Sequence, residues 1–281
     1  MDLVTADALD PAKLVVLVLG VGNAFTRRSF NTSFLLLAGG QRILVDAPAP
    51  MRRILGDSGV AAGLDLDIPE INRIILTHLH GDHCNGVEEA GFFRMFVAPD
   101  APKAALHLLP RLVEPLWRAR LSAVMDSIAP EGGGPEERMT LADYFDVQPW
   151  APGEHVIPTP HGPIRVRVHE GNHSVPCIGI HVEFNGQTFA YSGDTAFVPE
   201  HVEFLAPAQL VVHEAGVGYG HTPIEKLQAL DPALRARMGL VHFPESWRGV
   251  DKGIALMQEG ALYHPPSGPV PVPIKSLLRR A

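Results

Sequence analysis

Apolar residues run unbroken from Leu14 through Leu19, and Gly20-Val21-Gly22-Asn23 follows at once. A short, continuously apolar run closed by glycines predicts a buried strand and a tight turn with permissive backbone angles. After a loop through Arg27, Arg28 and Ser29, two apolar runs at residues 33–38 and 42–45 flank Gly39-Gly40-Gln41, predicting a β-hairpin that ends at Asp46. Residues 51–55 suit a short helix. Arg73-Ile74-Ile75-Leu76 predicts a strand that runs directly into Thr77-His78-Leu79-His80-Gly81-Asp82-His83. From Ala101 to Met125, Leu and Ala recur at helical spacing with breaks at Pro110 and Pro115. This predicts a helical insertion over about residues 99–150 that includes a Gly- and Pro-rich loop.

The second half returns to strand patterns at residues 164–168, 178–184, 188–191, 210–212 and 240–242, with helices expected at 223–230 and 252–257. Two strand-rich halves with intervening helices predict two packed sheets covered outside by helices, an α/β (α+β) arrangement distinct from simple βαβ alternation. No linker divides the chain, so residues 1–281 read as a single domain. Five prolines between Pro265 and Pro273 mark an extended, surface-bound or disordered tail that ends in Leu277-Leu278-Arg279-Arg280.

Composition narrows the class. With 46% hydrophobic and 19% charged residues, the chain has ample material for a core and no signature of disorder. The longest apolar run is too short for a bilayer, and Asp2, Asp7 and Asp10 stand where a signal peptide would be basic, so a cytoplasmic protein without membrane contact is expected. Cys84 and Cys177 are too few for a disulfide framework and read as ordinary buried thiols. A net charge of −8 argues against a surface built for a polyanion. Histidine stands out at 14 residues, which directs attention to metals.

Three histidines and an aspartate within His78-x-His80-x-Asp82-His83 have no packing rationale. In an extended segment His78 and His80 point the same way, whereas Asp82 and His83 begin the next turn and point elsewhere, so one loop can serve two metals. Imidazole and carboxylate suit zinc, iron or manganese, and a catalytic ion takes about three protein ligands with a position left for water. The missing ligands have candidates at later strand ends: His173, Asp194 and His242. His107, His155, His161, His181, His201 and His264 read as surface or hydrogen-bonded structural residues. His169, alternating with Arg165 and Arg167, reads as part of a solvated face. Arg27, Arg28 and Arg248 are candidate phosphate contacts, with ordinary solvated arginines as the competing reading.

Taken in order, these residues resemble the metallo-β-lactamase fold superfamily, and within it the ribonuclease Z group. Leu19-Gly20-Val21-Gly22-Asn23-Ala24-Phe25, Asn31-Thr32-Ser33, Tyr191-Ser192-Gly193-Asp194-Thr195 and His213-Glu214-Ala215 carry the same likeness, and the insertion does not. The resemblance implies a four-layered αβ/βα sandwich with two divalent ions, zinc first and manganese or iron as options, at one edge between the sheets. It implies His78, His80 and His173 on one ion, Asp82, His83 and His242 on the other, and Asp194 between them. Asp46 would orient a ligand histidine from behind. Asp82 would also orient the nucleophile or accept its proton. Glu214, together with His221 in Gly220-His221-Thr222, resembles a pair of motifs that assist departure of the leaving group.

Two local departures are Gly216, where the group commonly has threonine, and Asp46-Ala47-Pro48, where it commonly has Asp-Cys-Gly. A third is the arm at residues 131–137, whose three glutamates precede any Lys or Arg and would repel tRNA. The expected activity is therefore a dinuclear-metal-dependent phosphodiesterase acting on a small-molecule or short oligonucleotide substrate, with tRNA disfavoured. A lactone, ester or thioester hydrolase is the alternative within hydrolases. An iron-dependent oxidoreductase on the same ligands is the alternative from another class. The insertion could cap the pocket or pair two subunits in a homodimer.

Overall fold

The apolar runs pair into two seven-stranded sheets. In this computed structural model, which describes residues 3–129, 132 and 134–279, the strands in chain order are β1 (Val15–Gly20), β2 (Ser33–Ala38), β3 (Gln41–Val45), β4 (Arg73–Ile75), β5 (Ala105–His107), β6 (Asp146–Val147), β7 (Gly153–Ile157), β8 (Ile164–Glu170), β9 (Ile178–Phe184), β10 (Gln187–Tyr191), β11 (Leu210–Glu214), β12 (Met238–Val241), β13 (Ala255–Leu256) and β14 (Leu262–Tyr263). One sheet runs β6-β5-β4-β3-β2-β1-β14 and the other runs β7 through β13 in chain order. Glu131 and Gly133 of the acidic arm, Asp2 and Arg280 lie outside the described residues.

Each sheet is antiparallel on one side and parallel on the other. In the first, β3, β4, β5 and β6 run parallel. In the second, β10 to β13 do so. Strand β1 is buried along its whole length, as its unbroken apolar run requires of a strand covered on both faces. In β8, Ile164, Val166 and Val168 turn inward while Arg165 and Arg167 turn outward. Phe34 of β2 meets Tyr191 of β10 edge-on with ring centroids 4.9 Å apart, which joins the two inner faces. Helix α1 (Met51–Ala62) packs on β1 of the first sheet and α3 (Gly86–Phe96) packs beside α1, with the short α2 (Gly81–Cys84) just before α3, and α4 (Pro199–Leu205) packs on β8 and β9. The sandwich is helix, sheet, sheet, helix.

Several elements differ from their sequence patterns. Helix α1 extends well past Leu55, because Met51, Ile54, Leu55, Ser58, Gly59 and Ala62 continue one buried stripe. The segment at 101–125 opens with β5, a strand of the main sheet, and only from Pro110 does it become helical. No helix forms at 252–257. There Met257 N–H donates to the Leu240 carbonyl at 3.0 Å and β13 extends the parallel edge. Strand β7 escaped notice because its residues are mostly exposed and polar. The proline-rich tail is surface-bound but folded back, with Leu277 buried and Leu9 bridged to Leu278. Among the described residues no helix is long and apolar enough to cross a membrane.

Candidate metal centre

The carboxyl ends of the parallel strands converge at one rim between the sheets. Asp46 follows β3, Thr77 and His78 follow β4, Asp194 follows β10, Glu214 ends β11 and His242 follows β12. His173 arrives from the connection between β8 and β9. Asp46 and His242 both leave their strands in the left-handed region, with φ of 59° and 55°. Such non-glycine outliers cluster where surrounding structure fixes a functional side chain.

The rim gathers the candidate ligands read from the sequence. Ligand atoms of His78, His80, His173 and Asp194 lie within 4.8 Å of one another, and so do those of Asp82, His83 and His242. Asp194 lies between the two groups. Its Oδ2 is 3.8 Å from His78 Nε2, 4.0 Å from His173 Nε2, 3.5 Å from His83 Nε2 and 3.3 Å from His242 Nε2. Asp82 Oδ2 faces His83 Nε2 at 3.4 Å and His242 Nε2 at 3.3 Å.

Hydrogen bonds behind the ligands determine which nitrogen each ring presents. Asp46 is fully buried and accepts from Thr77 N–H at 2.8 Å, from the Thr77 hydroxyl at 2.9 Å and from His83 Nδ1 at 2.8 Å. Because the Thr77 hydroxyl donates to that carboxylate, it receives the Nδ1–H of His78 at 2.9 Å. His173 Nδ1 donates to the Gly220 carbonyl at 2.8 Å. His78, His83 and His173 therefore all turn Nε2 inward. His80 presents Nδ1, which meets His173 Nε2 at 3.1 Å.

This donor set fits cations. His78 Nε2, His83 Nε2 and Asp194 Oδ1 are buried with no hydrogen-bond partner among the described residues. Leaving one such group unpaired costs about 1–3 kcal/mol, so three at one point call for a ligand. The electrostatics agree. Burial opposes charge on Asp194, yet the surrounding histidines, His242 and His83 foremost, hold it well below the usual carboxylate range. Burial likewise works against Asp82, and the facing imidazoles of His242 and His83 outweigh it and hold its pKa low. On His78 burial acts first, aided by the charge of His83, and lowers its pKa well below the ordinary value. His83 goes the other way, because Asp194 and Asp46 outweigh its burial.

Glu214 and His221 stand beside this cluster. Oε1 of the buried Glu214 accepts from Thr195 N–H at 3.0 Å, Thr222 N–H at 3.2 Å and His221 Nδ1 at 3.1 Å, and Oε2 has no partner among the described residues. Burial and the nearby Asp194 raise the pKa of Glu214 well above its ordinary value. His221 is partly exposed, and its ring stacks on His242 with centroids 5.0 Å apart. A Cβ on Gly216 would lie 2.8 Å from Cβ and Cγ of His221. Gly216 thus leaves room for the His221 ring beside Glu214.

A profile of the family described as "Anti-Pycsar protein Apyc1" matches residues 14–263. The chain belongs to the Apyc1 family. It is 29% identical over 272 residues to an Anti-Pycsar protein Apyc1 of Paenibacillus sp. (strain J14), covering 88% of this chain and 97% of that one. It is also 25% identical to the cGMP-dependent 3',5'-cGMP phosphodiesterase A of Dictyostelium discoideum, over 90% of this chain and 28% of that longer protein. Among solved structures it resembles the metallo-β-lactamase fold protein YhfI of Bacillus subtilis, with a TM-score of 0.64, 14% identity and coverage of 89% and 99% of the two chains. The metallo-β-lactamase fold read from the sequence is the fold of this Apyc1 family member.

Arg27, Arg28 and Arg248 gather with Glu245 and Ser246 around an open cleft near the segment that follows His242. Their side chains are exposed, and the carboxylate of Glu245 accepts from the backbone N–H groups of Arg27 and Arg28. Thr77 and the Gly220 carbonyl were not foreseen from the sequence. Neither is a ligand type, and only their contacts to His78 and His173 reveal them. His107, His181 and His201 proved to be buried structural histidines, and Cys84 and Cys177 are free buried thiols.

Proposed function

We propose that this chain hydrolyses 3',5'-cyclic nucleotides, using two divalent ions, zinc first, held by the seven ligands. The reaction class is metal-dependent phosphodiester hydrolysis, as the family and its relatives indicate. The observation that carries the reading is the position of Asp194 Oδ2 among four imidazole nitrogens, with His78 Nε2 and His83 Nε2 buried and unpaired. His78, His80 and His173 would hold one ion, Asp82, His83 and His242 the other, with Asp194 shared. Bound there, two such ions acidify water to a pKa near 7 and neutralise charge that develops on phosphoryl oxygens.

The rest is done by the chain's own groups. Asp82, kept ionised by His242 and His83, accepts a hydrogen bond from the attacking water and orients it. Attack forms one P–O bond and breaks the ester bond to the ribose oxygen, which departs as an alkoxide and needs a proton. His221 is suited to deliver it as an imidazolium, because the Glu214 carboxyl accepts its Nδ1–H and leaves its Nε2–H for the leaving oxygen. The product is a nucleoside monophosphate.

A turnover screen tests the assignment with 3',5'-cyclic nucleotides, bis-p-nitrophenyl phosphate, aryl esters and acyl lactones, each with and without chelator. Chelator-sensitive opening of the cyclic nucleotides is expected. Preference for esters or lactones over every phosphodiester would overturn it.

A further inference from the structure

Two loops border the metal centre, and each carries an aromatic ring into solvent. The first, at residues 216–222, is closed by Gly216 N–H donating to the Thr222 carbonyl at 3.2 Å. It is tied to the centre by the Gly220 carbonyl, which accepts from the ligand His173. Tyr219, next to that carbonyl, is 104% exposed.

The second loop, at residues 23–29, is joined to the segment that follows His242. Gly22 is bridged to Phe243, the residue after His242, and Thr26 donates to Glu245 at 2.9 Å. Phe25 on this loop is 90% exposed. Tyr219 and Phe25 are the two most exposed aromatic residues in the described chain, and Phe96 follows at 59%.

Bare aromatic rings are unfavourable in water, and the fold offers these two no cover. Both stand on loops tied to residues of the centre, Tyr219 beside the Gly220 carbonyl that holds His173 and Phe25 on the loop joined to the segment after His242. A phosphodiester centred on Asp194 leaves the rest of its molecule at this mouth. For a nucleotide, that remainder includes a flat base. Stacking needs only a π-face, so a solvent-facing ring on a short loop suffices. We infer that Tyr219 and Phe25 receive the nucleobase of the substrate by stacking and so select nucleotides over other phosphodiesters. The inference rests on the cyclic-nucleotide reading above, and it adds the residues that recognise the base.

The test compares kcat/KM for a 3',5'-cyclic nucleotide with that for the base-free 1-O-methylribose 3',5'-cyclic phosphate. Truncating one stacking ring in Tyr219→Ala or Phe25→Ala is expected to lower this ratio about tenfold, mainly through KM for the nucleotide. Tyr219→Phe keeps the π-face and is expected to hold the ratio within about twofold of the unsubstituted protein. Phe96→Ala, away from the centre, is expected to leave the ratio unchanged. An unaltered ratio in both Tyr219→Ala and Phe25→Ala would overturn the inference while the cyclic-nucleotide reading stands. So would dissociation of a dimer by Tyr219→Ala without a change in ratio, which would assign the ring to a subunit contact. Failure of the unsubstituted protein to open cyclic nucleotides would overturn the functional reading itself, and this inference with it.

Discussion

Asp46 meets no metal-facing nitrogen, yet it holds His83 directly and His78 through Thr77. Asp46→Ala is therefore expected to weaken metal affinity about 10- to 100-fold, read by competition against a chelator. Unchanged affinity would mean that the buried carboxylate only fills space. His221 makes a different claim, about a proton. His221→Ala is expected to slow cyclic-nucleotide opening about 10²- to 10⁴-fold. Turnover of bis-p-nitrophenyl phosphate, whose nitrophenolate leaves unaided, should fall far less. Equal losses on both substrates would remove His221 from leaving-group chemistry. The seven candidate ligands could be picked out in the sequence because each is a metal-binding side chain, four of them in the run from His78 to His83 and the others just after later strands. Thr77 was not, since its part is to pass one hydrogen bond between Asp46 and His78, and the amino-acid type alone gives no sign of that.

At the level of elements, the site depends on turns that aim strand ends. Gly193 has φ of 60°, and a Cβ there would sit 2.3 Å from the Ile178 carbonyl oxygen. Gly193→Ala must therefore shift the β10 end that presents Asp194. It is expected to lower Tm by several degrees, consistent with a cost of about 1–3 kcal/mol, and to reduce metal content. A variant with the original Tm and full metal would show that this turn has slack. Strands buried on both faces, such as β1 and β2, were legible because their residues are almost all apolar. Edge strands were not. β7 is mostly exposed, and the residues of β13 look helical until the open edge of β12 recruits them. Helix α1 was read short because Gly56 and Gly59 suggest an end, whereas Gly59 lets the helix pass close to the Leu64 carbonyl.

Over the whole molecule, four histidines outside the candidate metal centre are buried in the fold. His107, His181, His201 and His213 each have a pKa lowered to about 4, by burial first. Unfolded, each takes up a proton below about pH 6.5. Their stabilisation is thus complete above that pH and is lost as pH falls towards 4, at up to about 1.4 kcal/mol per pH unit for each residue. His107 is the cleanest probe, being locked neutral between Arg73 and the Gln148 carbonyl. Chemical unfolding of chelated protein between pH 7 and 4.5 should show a shallower loss in His107→Gln, and an identical slope would rule out His107 as a contributor. The fold class was legible from the alternation of strand-rich halves, but the gathering of five strand ends at one rim needed the sheet order. That rim is where the central claim is most directly measured, by titrating divalent metal into chelated protein while following conversion of a 3',5'-cyclic nucleotide. A two-metal phosphodiesterase requires no turnover without metal, a rise that breaks at two ions per chain, and a nucleoside monophosphate as product. Undiminished turnover by the chelated protein, or no conversion with two ions bound, would contradict it.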